Sequence, residues 1–193
     1  SSRRSTSDLG EVAMDEAVHA IYPIEQWASC VDFDRQGVFA WRALDLVPDC
    51  EGVIFQATAK GLLMLGQTEA DLVDPGQLLR GIFGVGLNLS SPHVRLAYAD
   101  GWQEPIMGFR VATQPGCMAQ VRYSLEKRGA RISDVEIGRV AGVIRGTAPL
   151  LDLIGYTRTL RRLSNDSGHI ALWLSHYEPL WSYASETMAC YAE

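Results

Sequence analysis

Lys127, Arg128 and Arg131 flank Gly129. Three cations around a glycine turn suit contacts to phosphate oxygens, made by exposed ammonium and guanidinium groups and by the N–H groups of the turn. The same residues also read as a solvated basic turn. Arg158, Arg161 and Arg162 stand at i, i+3 and i+4, which places them on one helix face. They read as a second anion-facing contact or as a surface ridge pairing with Asp152 or Asp166. Pro115, Gly116 and Met118 open a helix. Its N-terminus could activate Cys117, but no histidine is placed by sequence to serve that thiol, so an inert thiol is expected.

Other reactive residue types do not assemble into a motif. Asp166, Ser167, His169 and His176 lack a Gly-x-Ser-x-Gly elbow and a separate acid motif. His19, His93, His169 and His176 show no H-x-x-x-H pairing and no Cys/His zinc spacing. Asp32, Asp34, Asp45, Asp49 and Glu51 read as a solvated acidic rim. A G-x-x-x-x-G-K-[ST] phosphate loop is absent from the sequence. The expectation is a binding module with no catalytic residue, no metal and no cofactor.

The elements that must position the cations follow from periodicity. In the first half, alternation at Val18, Ala20, Tyr22 and Ile24 predicts a strand ending at Glu25, with residues 26–34 as a connector. The apolar face of 35–47 predicts a helix stopped by Pro48. Strands from Val53 and Leu62 flank an Ala59-Lys60-Gly61 turn. Asp74-Pro75 reads as N-cap and first helical residue of a helix stopped by Gly84, and strand-like runs at 85–89 and 93–98 follow. The second half repeats this order: strand 105–113, helix 115–127, strands 130–137 and 140–148, helix 149–162, strand 168–177. The fold class expected is α+β, two tandem ferredoxin-like β-α-β-β-α-β sandwiches. The expected divisions are a disordered lead-in over 1–16, modules at 17–99 and 103–180 joined at Asp100-Gly101-Trp102, and an aromatic tail over 181–193 with Trp181, Tyr183 and Tyr191.

The chain has 193 residues and a formal net charge of -6, unevenly spread. Residues 1–100 hold 7 Lys+Arg against 14 Asp+Glu, and residues 101–193 hold 10 against 9. The acidic total argues against non-specific nucleic-acid binding by the whole chain, yet leaves room for a basic face on the second half. Four cysteines without C-x-x-C spacing are expected to be free thiols in a reducing compartment. The start carries no apolar signal-peptide core, and no apolar run reaches membrane-spanning length. A cytoplasmic location is expected, or an organellar matrix in view of Arg3, Arg4 and the neighbouring serines.

Four motifs in the second half resemble domain V of translational GTPases of the elongation factor G type. Glu104-Pro105-Ile106-Met107 is similar to that domain's entry strand. Lys127-Arg128-Gly129-Ala130-Arg131-Ile132 resembles its Arg-Arg-Gly-Arg-Ile turn. Gly155-Tyr156-Thr157-Arg158-Thr159-Leu160-Arg161 resembles its Gly-Tyr-x-x-x-Leu-Arg helix, and Ser175-His176-Tyr177-Glu178-Pro179 its last strand. The first half is more weakly similar to domain III through Phe83-Gly84-Val85 and 92–98. Leu65-Gly66-Gln67-Thr68-Glu69-Ala70-Asp71-Leu72 departs from the family's Gly-x-Gly-Glu-Leu-His-Leu-Glu run. Tyr98 passes to Glu104 almost directly, so the decoding-site domain between III and V is missing.

The resemblance implies a ribosome-associated or translation-factor-derived binding protein. Its Lys127, Arg128, Gly129 and Arg131 turn would meet large-subunit rRNA, with Arg158, Arg161 and Arg162 as a second contact. Pro115, Gly116 and Met118 would face the stalk-base protein. The partner is the ribosome or a larger protein assembly, with no membrane. The alternatives are a C-terminal fragment of a complete translational GTPase, and a degenerate relative serving as a structural subunit or small-molecule binder unrelated to translation.

Overall fold

The structure, a computed structural model, describes residues 21–180. The expected lead-in and the aromatic tail lie outside the described residues. Two antiparallel five-stranded sheets, each with helices on one face, make an α+β fold.

In the first sheet β1 (Ile24–Cys30) is central. On one side it pairs with β3 (Gly61–Gly66), which pairs in turn with β2 (Val53–Thr58). On the other side lie β4 (Leu87–Leu89) and β5 (His93–Val94), two pieces of one edge interrupted at Ser90. The strand order β2-β3-β1-β4 is that of a split β-α-β-β-α-β unit. Residues 18–20 of the expected strand lie outside the described residues; among those described the first strand is Ile24–Cys30, so much of the expected connector over 26–34 is strand. Gln26 hid it by placing a polar residue in the alternation. Its amide is satisfied across the sheet, donating to the Ser90 carbonyl at 2.7 Å.

Helix α1 (Gln36–Leu46) buries Phe39, Ala40 and Ala43, an i, i+1, i+4 set facing the sheet. The hairpin at Thr58–Gly61 needs its glycine: Gly61 has φ +136°, and a Cβ there would lie 2.3 Å from the Ala28 carbonyl oxygen. Helix α2 (Val73–Phe83) is entered through a 3₁₀ turn at Ala70–Leu72. Asp71 anchors that turn by accepting the Thr68 N–H (2.7 Å) and Oγ1–H (2.9 Å). Asp74 is thus inside the helix and not its cap, and Pro75 occupies the first turn, where a missing N–H costs little. Gly84, at φ +61°, ends the helix as expected.

The main strands of the second sheet are β7 (Trp102–Thr113), β8 (Arg131–Ile137), β9 (Gly142–Pro149) and β10 (His169–Pro179). They lie in the order β10-β7-β9-β8. A short β6 (Ala97–Tyr98) adds to β7, so the run expected as one strand over 93–98 is divided between the two sheets. Helix α3 (Met118–Glu126) follows a 3₁₀ turn at Pro115–Cys117. The helix expected over 149–162 is broken into α4 (Leu150–Leu153) and α5 (Tyr156–Leu163). The break comes from extended Ile154 (ψ 129°) and left-handed Gly155 (φ 71°). Met107, Phe109, Val111, Val121, Ile144 and Tyr156 are fully buried between this sheet and its helices. No helix among the described residues is long and apolar enough to cross a membrane.

Candidate nucleic-acid interface

The glycine turn closes α3 with its own backbone. The N–H groups of Lys127 and Arg128 donate to the carbonyls of Tyr123 and Leu125, and those of Gly129 and Ala130 to Glu126 and Leu125, at 2.9–3.1 Å. Gly129 takes φ +72° to allow it. These donors therefore serve the helix end and are not offered to a ligand. Any anion contact at the turn falls to side chains.

The three cations of the turn have separate surroundings. Arg128 is clamped: its Nη1 donates to the Asp152 carbonyl (2.5 Å) and more weakly to that of Ile154 (3.4 Å). Its Nη2 reaches Thr159 Oγ1 at 3.4 Å, and the guanidinium lies 5.2 Å from the Tyr156 ring centroid. It satisfies carbonyls at the α4–α5 break and holds that break against α3. Arg131 extends over the face of the second sheet opposite the helices and grips Glu178 in a bidentate pair at 2.8 and 3.3 Å. Lys127 alone of the three has neither a hydrogen bond nor an ion pair from its side chain to another described residue; its Nζ lies 5.5 Å from the Tyr123 ring centroid.

The arginines of α5 also diverge. Arg162 lines an open groove of about 470 Å³ between α3 and α5, shared with Tyr123, Lys127, Gln120, Ser124 and Thr159. Arg158 instead lines a cleft of about 390 Å³ between the two sheets, together with Arg80 and Glu69. Neither they nor Arg161 form an ion pair with another described residue, so the expected pairing with Asp152 or Asp166 is not seen. Met118 is 5% exposed, and its Sδ lies where a Cβ on Gly142 would sit, so its side chain belongs to the core. Of the three residues assigned to a stalk-base contact, Pro115 and Gly116 reach the surface.

Among the suspected hydrolase residues, Ser167 Oγ donates to the Ser164 carbonyl at 2.6 Å and His176 lies between Ser175 and Glu178. No serine–histidine–acid relay is formed by the four. Two features were not foreseen. Tyr123 gives the groove an exposed aromatic wall; its only sequence signal was its place four residues before Lys127. Glu69 lies in the segment that departs from the family run, and its Oε2 accepts the Gly155 N–H at 2.8 Å, joining the first sheet to the start of α5.

Around Arg131 the carboxylates split in their proton affinities. The hydrogen bond from His176 and then that from Arg131 hold Glu178 below its ordinary value. Burial, then the charges of Asp152 and Glu178, push Glu104 up. The two therefore act on stability with opposite signs. The contribution of Glu178 is complete above its unfolded pKa, about 4.3, and is lost as pH falls through its lower folded value. That of Glu104 is complete below its unfolded pKa and is lost as pH rises through its higher folded value. Glu178→Gln is expected to lower stability at pH 7 but not in acid, and Glu104→Gln to raise it at pH 7. Urea unfolding at neutral and acid pH reads both, and a Glu104→Gln protein no more stable than the parent at pH 7 contradicts the assignment.

Residues 102–188 match the family model for the elongation factor G C-terminus. Elongation factor G 2 of Vibrio parahaemolyticus serotype O3:K6 (strain RIMD 2210633) is 34% identical over 76 residues, which are 39% of this chain and 11% of that protein. The match thus spans about a tenth of that relative. A crystal structure of a Thermus thermophilus protein shares the fold with a TM-score of 0.63 at 13% identity, over 86% of this chain and 42% of that one.

Proposed function

We propose that this chain, whose residues 102–188 are a translation-factor domain of the elongation factor G C-terminal type, is a non-catalytic module that docks on the large ribosomal subunit. One observation carries the reading: Lys127 and Arg162, both without ion-pair partners among the described residues, converge with exposed Tyr123 on one groove. Two cations beside an aromatic wall and the polar groups of Gln120, Ser124 and Thr159 suit an RNA backbone with a splayed base. In this reading Arg128 builds the groove instead of facing the RNA, and Arg131 joins only after releasing Glu178. Pro115 and Gly116 are the surface left for a ribosomal protein. The two modules, 17–99 and 103–180, act as one docking body at the site of translation, in the cytoplasm or an organellar matrix. A second reading, that these residues are the C-terminal part of a complete translational GTPase, is favoured by the small share of the relative that they match; the intact mass of the native product distinguishes the two.

Co-sedimentation with 50S particles across a salt series tests the docking. The wild type is expected to pellet at low salt. Lys127→Ala/Arg162→Ala is expected to bind more weakly, with the salt slope reduced by roughly 0.7–0.9 for each phosphate that is no longer neutralised. If the wild type fails to pellet, or the double variant matches it in affinity and slope, the docking reading is wrong.

A further inference from the structure

We propose that the face of the second sheet opposite its helices is a separate stacking surface for single-stranded RNA, centred on Trp173 and Arg110. Along β7, Met107, Phe109 and Val111 face the helices and are fully buried, so by the two-residue period Gly108, Arg110 and Ala112 face the other way. The register sets Trp173 opposite Gly108, and Arg110 between Arg145 and Ala171.

The surface is shaped for a flat ligand. The indole of Trp173 lies directly on Gly108: a Cβ there would come within 2.4 Å of its Nε1 and Cε2. The glycine lets the ring settle against the sheet, while Trp173 remains 50% exposed. Ala112, two residues on along β7, and Ala171, opposite on β10, flank Arg110 with the smallest side chains after glycine.

Charge selects the ligand. Arg145 is neutralised on the β8 side by Asp134 (2.6 Å) and Glu136 (2.7 Å). Arg110 is exposed and forms no ion pair with another described residue. An exposed indole beside an uncommitted guanidinium offers stacking for a base and a contact for its phosphate, the pairing by which sheet faces and grooves hold single strands. The groove between α3 and α5 lies on the helical side, so the two surfaces can be tested separately.

The test is fluorescence anisotropy with a labelled octa-adenylate RNA, using a Lys127→Ala/Arg162→Ala background to silence the groove. Binding is expected in that background. Adding Trp173→Ala is expected to weaken it about tenfold without changing the salt slope, because stacking carries no counterions. Trp173→Phe, which keeps an aromatic ring, is expected to retain most of the affinity. Arg110→Gln is expected to lower the slope by about 0.7, as when one single-strand phosphate is no longer neutralised. The proposal is overturned if the background variant binds no RNA, if Trp173→Ala binds as well as its parent, or if Trp173→Phe loses as much as Trp173→Ala. It is also overturned if an acidic, aromatic peptide of the same charge binds this face and the RNA does not. Because the readout is a free oligonucleotide, failure here leaves the 50S result standing, and the reverse holds.

Discussion

Tyr156→Ala is expected to destabilise the second module by about 3–5 kcal/mol, the range for truncating a large buried aromatic. Tyr156 is completely buried at the first position of α5. Its ring lies under the Arg128 guanidinium, and its hydroxyl, whose ionisation burial opposes, reaches the Val121 carbonyl at 3.4 Å. One side chain thus joins α3, α5 and the clamp on the α4–α5 break. Removing it leaves a cavity and releases Arg128, so the groove should lose its shape as well as its support. The thermal midpoint should fall by roughly 10 °C, and 50S binding should weaken even where the variant remains folded. Tyr156→Phe separates the contributions: it keeps the ring and loses one long hydrogen bond, for about 1 kcal/mol. A Tyr156→Ala protein with near wild-type stability would show that the ring does not anchor α5.

Phe39→Ala is the counterpart in the first module, with an expected cost of about 3–5 kcal/mol. Phe39 is fully buried and stands in a trio of edge-to-face rings, 5.6 Å from Phe33 and 5.0 Å from Phe83 by centroid. The trio joins the β1–α1 connection, α1 and the end of α2, so the loss should loosen both helices from the sheet. Edge-to-face geometry adds to the burial of area, so Phe39→Leu should recover much but not all of the loss. Amide exchange distinguishes the two modules. Faster exchange is expected throughout the first sheet, reaching α5 chiefly through the Glu69–Gly155 bond. Full protection of α1 and β3 in Phe39→Ala would contradict the packing assignment.

Much of the fold was legible because its signals are local. Apolar spacing marked α1, Asp74-Pro75 and Gly84 marked α2, and Gly61, Gly84 and Gly129 marked turns with positive φ. The β-α-β-β-α-β order follows from those elements, and both sheets have it. The failures have local causes too. Gln26 broke an alternation that the tertiary fold completes through Ser90. The apolar positions from Leu150 to Leu163 keep helical spacing through Gly155, so periodicity could not register one left-handed residue. Splitting 93–98 between two sheets required strand pairings that no local pattern contains.

The candidate site was legible in composition and not in arrangement. Sequence alone placed basic residues on the turn and on α5 and supplied the resemblance to elongation factor G. It could not divide neighbours of the same charge. Arg128 is clamped by carbonyls 24 and 26 residues away, while adjacent Lys127 has no carboxylate partner among the described residues. Arg158 and Arg162, one helical turn apart, line different clefts. Which cations remain available was decided only by tertiary structure, because helical period and turn chemistry act over a few residues, whereas a charge is satisfied by whatever the fold brings within hydrogen-bonding distance.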